Sequence, residues 1–195
     1  MELTSKDKEI MLKLFKEVNS YYNPSSISKE IDISRIGSYK ALKKLEKDNI
    51  VKSKRLGKAS FYNLNLEDEY ARKNIELLLI DEARKKQRWV DEFREIYNYA
   101  EIVILFGSII KHEQNARDID VLIVMEQKDN KKINELIEEK NKILLKKVHP
   151  IKQTREDLVK NIKNNNKVII SAIKEGIVLH GYDKYTDLMK NVRNR

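Results

Sequence analysis

Apolar residues return at helical spacing near the start of the chain, at Ile10, Met11, Leu14, Phe15 and Val18. Thr4 or Ser5 can cap that helix, and Asn23-Pro24-Ser25 stops it and restarts the chain. A short second helix carries Ile27 and Ile31, and Ser34 stands as the N-cap of a third that runs to about Asp48. In the third helix Ser38, Ala41, Leu42 and Leu45 share one face. Arg35, Ile36, Tyr39, Lys40, Lys43 and Lys47 share the other. The pattern then changes to two β-like segments, Ile50 to Arg55 and Ala59 to Leu64, joined by Leu56-Gly57-Lys58, which predicts a hairpin. From Glu67 to Tyr99 no proline or glycine interrupts a helical pattern, so a connecting helix over residues 66–99 is expected. Its apolar stripes are Ile75, Leu78 and Leu79, then Trp89, Val90, Phe93, Ile96 and Tyr97.

The period shifts again after that helix. Ile102 to Phe106 is a continuous apolar run of strand length, closed by Gly107-Ser108 and followed by a short helical piece from Ile109 to about Glu113. Asp118 to Val124 is a second strand in which acids alternate with apolar residues, and Ile143 to Ile151 is a third. Thr154 caps a helix whose first turn holds Glu156 and Asp157, where acids suit the helix dipole. Val168 to Glu175 is a helix with Gly176 as its C-cap, then a short strand or apolar plug, Ile177 to Leu179. His180-Gly181-Tyr182 is expected to close the fold, with a frayed polar end from Lys190 to Arg195.

The 195 residues allow one large domain or two small ones, and 41% hydrophobic content is enough for packed cores. No cysteine is present, which excludes disulfides, thiolate zinc sites and cysteine nucleophiles. The longest apolar runs fall far short of the ~20 residues that span a bilayer. No leader pattern opens the sequence, so a soluble, cytoplasmic protein with no membrane partner is expected. The net charge of +9 is uneven: residues 34–65 hold 9 basic and 2 acidic side chains. Excess positive charge confined to one short stretch is the footprint of a polyanion site, although a solvated lysine-rich face would look alike by charge alone.

Three helices with a tight turn between the second and third, then a basic hairpin, resemble a winged helix-turn-helix domain of prokaryotic transcription regulators. The residues that carry the likeness are Ser26 to Ile31, Ile33-Ser34, Ala41 to Glu46 and Ile50-Val51, and it covers about residues 5–65. The resemblance implies duplex DNA as a partner, read by Arg35, Tyr39, Lys40 and Lys43 on the third helix and by Lys54, Arg55 and Lys58 on the wing, beside Lys52. A palindromic site would call for a homodimer.

The apolar strand, Gly107-Ser108, a gap of about ten residues and Asp118-Ile119-Asp120 on the next strand resemble the signature of the DNA polymerase β-type nucleotidyltransferase superfamily, and within it the minimal nucleotidyltransferases. The likeness covers about residues 95–185, so the reading is an α/β (α+β) chain. It has a winged helix at 1–65, a connecting helix at 66–99 and a minimal nucleotidyltransferase domain with a small mixed sheet at 100–195. Residues two apart on a strand face the same side, so Asp118 and Asp120 project together while Ile119 and Val121 enter the core. The resemblance implies Asp118 and Asp120 as catalytic carboxylates holding Mg²⁺ or Mn²⁺, with Gly107, Ser108 and Lys111 binding a nucleoside triphosphate, ATP first among them.

Two features depart from that family. Ile109-Ile110-Lys111-His112 follow Gly-Ser where a small residue, Arg and Gly are common, and the third strand holds no acid to serve as third carboxylate. His149 could act as a base there, but a histidine beside Pro150 in a strand is more often structural; His112 and His180 have no metal-type spacing. Three readings follow: a DNA-binding nucleotidyltransferase, a regulator whose degenerate pocket senses a nucleotide, and, more weakly, the antitoxin-like half of a pair with a toxin-type protein partner.

Overall fold

A computed structural model describes residues 2–18 and 20–193. Among the described residues no helix is long and apolar enough to cross a membrane. The chain forms two compact units that divide between Leu78 and Leu79.

The first unit holds α1 (Ser5–Lys16), α2 (Pro24–Glu30), α3 (Arg35–Lys47), a hairpin of β1 (Val51–Leu56) and β2 (Ala59–Leu64), and the start of α4 (Glu69–Arg84). Each of the first three helices begins at a side-chain cap. Thr4 and Asp7 form a capping box on α1, Asn23 and Ser26 another on α2, and Ser34 Oγ accepts from Gly37 N at 3.0 Å on α3. Such caps contribute about 1 kcal/mol each. Asp7 is buried and lies 2.7 Å from Lys44 Nζ, which ties α1 to α3. Burial pushes the Asp7 carboxyl up, but hydrogen bonds from Lys44 and Thr4 outweigh it and hold the group below the ordinary range.

Ser38 sets the turn between α2 and α3, its hydroxyl donating to Pro24 O at 2.5 Å and Arg35 O at 3.0 Å. Ile10, Leu14, Phe15, Ile27, Leu42 and Leu45 fill the core beneath. β1 and β2 pair antiparallel from Val51↔Leu64 to Leu56↔Ala59 around Gly57-Lys58, and Tyr22 adds a single bridge to Tyr62. This is a winged helix-turn-helix: α3 presents its polar face outward and the hairpin is the wing.

The expected helix over 66–99 is not continuous. α4 stops at Arg84, α5 (Gln87–Glu92) follows, and a 3₁₀ turn covers Arg94–Asn98. Neither proline nor glycine lies at the breaks, and Trp89, Phe93 and Ile96 are all buried in the core of the second unit.

The second unit is built on a four-stranded mixed sheet in which the strands starting at Lys147, Asp118, Ile102 and Ile177 lie side by side in that order. After the 3₁₀ turn its elements are β3 (Ile102–Phe106), α6 (Ser108–Lys111), β4 (Asp118–Val124), α7 (Asn130–Ile143), β5 (Lys147–Gln153), α8 (Arg155–Lys163), α9 (Lys167–Glu175), β6 (Ile177–His180) and α10 (Tyr182–Arg193). β3 runs antiparallel to both β4 and β6, while β4 and β5 are parallel and connected through α7. Val103, Leu105, Ile119, Val121, Ile123 and Val148 face one core, shared with Trp89, Phe93, Ile133 and Ile137. Alternation along the strands therefore turns Asp118, Asp120 and His149 to the opposite side.

Two expectations are corrected here, and the Gly176 cap is met in another conformation. The strand expected from Ile143 begins only at Lys147, because α7 extends through Ile143. Gly176 is the C-cap of α9 as expected, in extended backbone at φ −68° rather than the left-handed region; a Cβ there would overlap the Ala172 carbonyl and crowd Ile104 Cγ2. The chain does not close at Tyr182. α10 continues through Arg193 with Tyr185, Leu188 and Met189 fully buried, so Lys190 to Arg193 are helical. Asn194 and Arg195 of the expected frayed end lie outside the described residues.

Candidate active site and nucleic-acid face

β3 is an apolar rod buried at every position, and it delivers the chain to a sharp corner at Gly107, φ +79°. That backbone conformation is open to glycine and costly for other residues. The space beside it matters as much. A Cβ on Gly107 would overlap Asp120 Oδ2 and stand 3.1 Å from Asp120 Cγ. The missing side chain thus makes room for the carboxylate opposite, with Phe106 paired to Asp120 across the two strands.

Asp118 and Asp120 flank Ile119 at the start of β4, both half-buried while Ile119 is buried. The parallel register places His149 beside Asp120 and Lys147 beside Asp118. His149 Nδ1 lies 3.1 Å from Asp118 Oδ2. One donor atom each from Asp118, Asp120 and His149 falls within 4.8 Å of the others. Burial pushes the Asp120 carboxyl above its ordinary value, the Asp118 charge adds to this, and His149 partly opposes it.

The other expected nucleotide ligands lie around that corner. Ser108 is exposed at the start of α6. Lys111 Nζ sits 2.7 Å from Glu175 Oε2 in an exposed pair, so its charge is engaged with the end of α9. His112 is exposed, and His180 stacks on Tyr97 with centroids 4.5 Å apart. A cleft of about 400 Å³ in this unit is lined by Trp89, Ile119, Leu144 and Lys146 and none of the three donors. The potential metal donors thus lie on the sheet face opposite the one from which Ile119 lines that cleft.

In the first unit Arg35, Tyr39, Lys43 and Lys58 line one cleft of about 540 Å³ between α3 and the wing. Lys40, Lys54 and Arg55 are exposed outside it. Lys43 is 2.7 Å from Glu46, and its ammonium stands 6.0 Å from the centre of the Tyr62 ring.

His149 joins this cluster, although a histidine beside a proline in a strand reads as structural from the sequence alone. Its type and position on a strand were visible, but its alignment with Asp120 depends on strand pairing across the α7 crossover.

Residues 90–185 match the family model of Polymerase beta, Nucleotidyltransferase. The second unit therefore carries a nucleotidyltransferase domain of the polymerase β type. No curated protein matches the chain. Among solved structures it is similar to ZitR of Lactococcus lactis, with 23% identity, 50% of this chain and 62% of that one covered, and a TM-score of 0.34. It is also similar to the adhesin competence repressor AdcR of Streptococcus pyogenes, with 15% identity, 70% and 77% covered, and a TM-score of 0.32. The chain thus spans about three-fifths of the length of ZitR, and likenesses this slight transfer no function.

Proposed function

We propose that this chain is a DNA-binding nucleotidyltransferase. Its winged helix docks on duplex DNA, and its second unit takes a nucleoside triphosphate, ATP in the first instance, with a divalent ion. The observation that carries the reading is the pair Asp118 and Asp120 presented side by side at the Gly107 corner of a polymerase β-type domain. Donor chemistry supports the ion, since two carboxylates and an imidazole offer atoms within 4.8 Å of one another. Asp118 and Asp120 would hold it. When bound, such an ion supplies positive charge to the phosphate oxygens as they are rearranged.

The transfer joins the oxygen of an acceptor hydroxyl to the α-phosphorus and breaks the bond from that phosphorus to the bridging oxygen. Pyrophosphate departs with the electron pair, and the hydroxyl proton passes to solvent. The backbone at Gly107 and the Ser108 hydroxyl would position the triphosphate. Lys111 can turn toward it at small cost, because an exposed pair such as the one with Glu175 is worth only ~0–1 kcal/mol.

A specific feature favours a second reading. β5 reads Lys147-Val148-His149-Pro150-Ile151-Lys152-Gln153 and holds no carboxylate to take the acceptor proton. A domain that binds the nucleotide without transferring it would sense it and alter DNA affinity. Incubation with α-labelled nucleoside triphosphates, Mg²⁺ or Mn²⁺, and DNA or lysate separates the two, beside an Asp118→Asn/Asp120→Asn control. Label transfer that the control lacks is the result expected of an enzyme. Binding without transfer, together with nucleotide-dependent DNA affinity, marks the sensor.

A further inference from the structure

We propose that His149 is the third metal ligand of this site, and that the site consequently selects a first-row transition-metal divalent ion over Mg²⁺. The inference deepens the preceding reading and rests on it for the presence of a metal. Three observations converge on His149. Its strand register sets it beside Asp120, on the sheet face that both carboxylates share. Its Nδ1 stands 3.1 Å from Asp118 Oδ2. The strand that carries it offers no acid that could fill the position instead.

The spacing suits a shared ion. Two donors at right angles around an ion with bonds of ~2.1 Å lie ~3.0 Å apart. A hydrogen bond between imidazole and carboxylate would give a similar separation, so the donor types must decide. Mg²⁺ favours an all-oxygen shell and keeps much of its water, so an imidazole nitrogen adds little to its binding. Transition-metal ions accept imidazole readily, and their affinity for mixed nitrogen and oxygen sites rises along the first row. Replacing a carboxylate by a neutral imidazole also lowers the site's negative charge, which weakens a hard ion most. The exposure of His149 leaves its ring free to turn either nitrogen toward the ion.

The test uses the full chain and Mn²⁺ alone, at about pH 8, where an ordinary imidazole is neutral. Free Mn²⁺ is counted by its electron paramagnetic resonance, and nitrogen modulation of the bound ion's spin echo reports a coordinated imidazole. The wild type is expected to bind Mn²⁺ at least ~10-fold more tightly than Mg²⁺, with clear nitrogen modulation. His149→Ala should lose the modulation and most of the preference. His149→Asp, which restores an oxygen donor, should bind Mn²⁺ without modulation and bring Mg²⁺ to within a few-fold of it. Bound Mn²⁺ without nitrogen modulation in the wild type overturns the proposal, as does modulation that survives His149→Ala. Because these readouts need neither nucleotide nor DNA, absence of label transfer would sink the enzyme reading while leaving this one intact. Label transfer by a protein whose Mn²⁺ shows no nitrogen would do the reverse.

Discussion

Gly107 and Asp120 occupy one space: the carboxylate of the second stands where a Cβ of the first would be. The corner and the acid are therefore a single device, since any side chain at 107 must displace the group that would hold the ion. Gly107→Ala also meets φ +79° with ψ −158°, a region used almost only by glycine, at a cost of about 1–3 kcal/mol. The variant should fold with a lowered melting point and lose divalent-ion binding by 10-fold or more, read by Mn²⁺ titration and thermal melting. An alanine variant with unchanged Mn²⁺ affinity would separate the corner from the site.

Asp120 is held in a state that opposes folding. Burial, then the Asp118 charge, raises its folded pKa above the ordinary 3.8. Its contribution to stability is therefore fully present below the ordinary pKa and lost as pH rises through the folded one. In chelator at neutral pH, Asp120→Asn should melt above the wild type even as it abolishes ion binding, and the difference should shrink as pH falls below about 4. A metal-free Asp120→Asn that melts below the wild type at neutral pH would count against this account.

His180 predicts the opposite trend. Burial first, then the Lys184 charge, holds its imidazole below the ordinary 6.5, against weaker opposition from Asp183 and a hydrogen bond with the Ala100 backbone. The unfolded chain takes up that proton before the folded one does. Stability is present above 6.5 and lost as pH falls toward the folded value. Melts of the second unit, followed by the fluorescence of the single tryptophan, Trp89, should weaken between about pH 7 and 5. His180→Phe keeps the stack on Tyr97 and should flatten that dependence. An equal slope in the variant would assign the acid sensitivity elsewhere.

In the winged-helix unit, Arg35, Tyr39, Lys43 and Lys58 share a cleft while Lys54 and Arg55 stand exposed on the wing strand. Lys54→Glu with Arg55→Glu should weaken DNA binding by roughly 10-fold or more and flatten its salt dependence by about one unit of slope for each phosphate no longer neutralised. Gel-shift titrations across salt read both. An unchanged slope would remove the wing from the interface.

Much of this was legible in the chain because local periodicity carried it. The strand before Gly107, the alternation of Asp118 to Val124, and the Ser34 cap are written in neighbouring residues. What was not legible depends on distant pairing. His149 joins the site only through the parallel register of β4 and β5, and no pattern within either strand sets that register. The break after Arg84 has no proline or glycine to mark it, and the helical spacing of Trp89, Phe93 and Ile96 continues beyond it. α10 is different: Tyr185, Leu188 and Met189 are spaced as a helix face, so the signal existed beneath a polar surround.

Residue-resolved paramagnetic broadening of the ¹⁵N-labelled full chain, on addition of substoichiometric Mn²⁺, locates the ion without reference to nucleotide or DNA. Amide signals of Gly107, residues 118–120 and residues 147–149 are expected to broaden first, and Asp118→Asn/Asp120→Asn to abolish the effect. Broadening centred instead on the exposed acids of α7, Glu135, Glu138 and Glu139, with the Gly107 corner untouched, would refute the site.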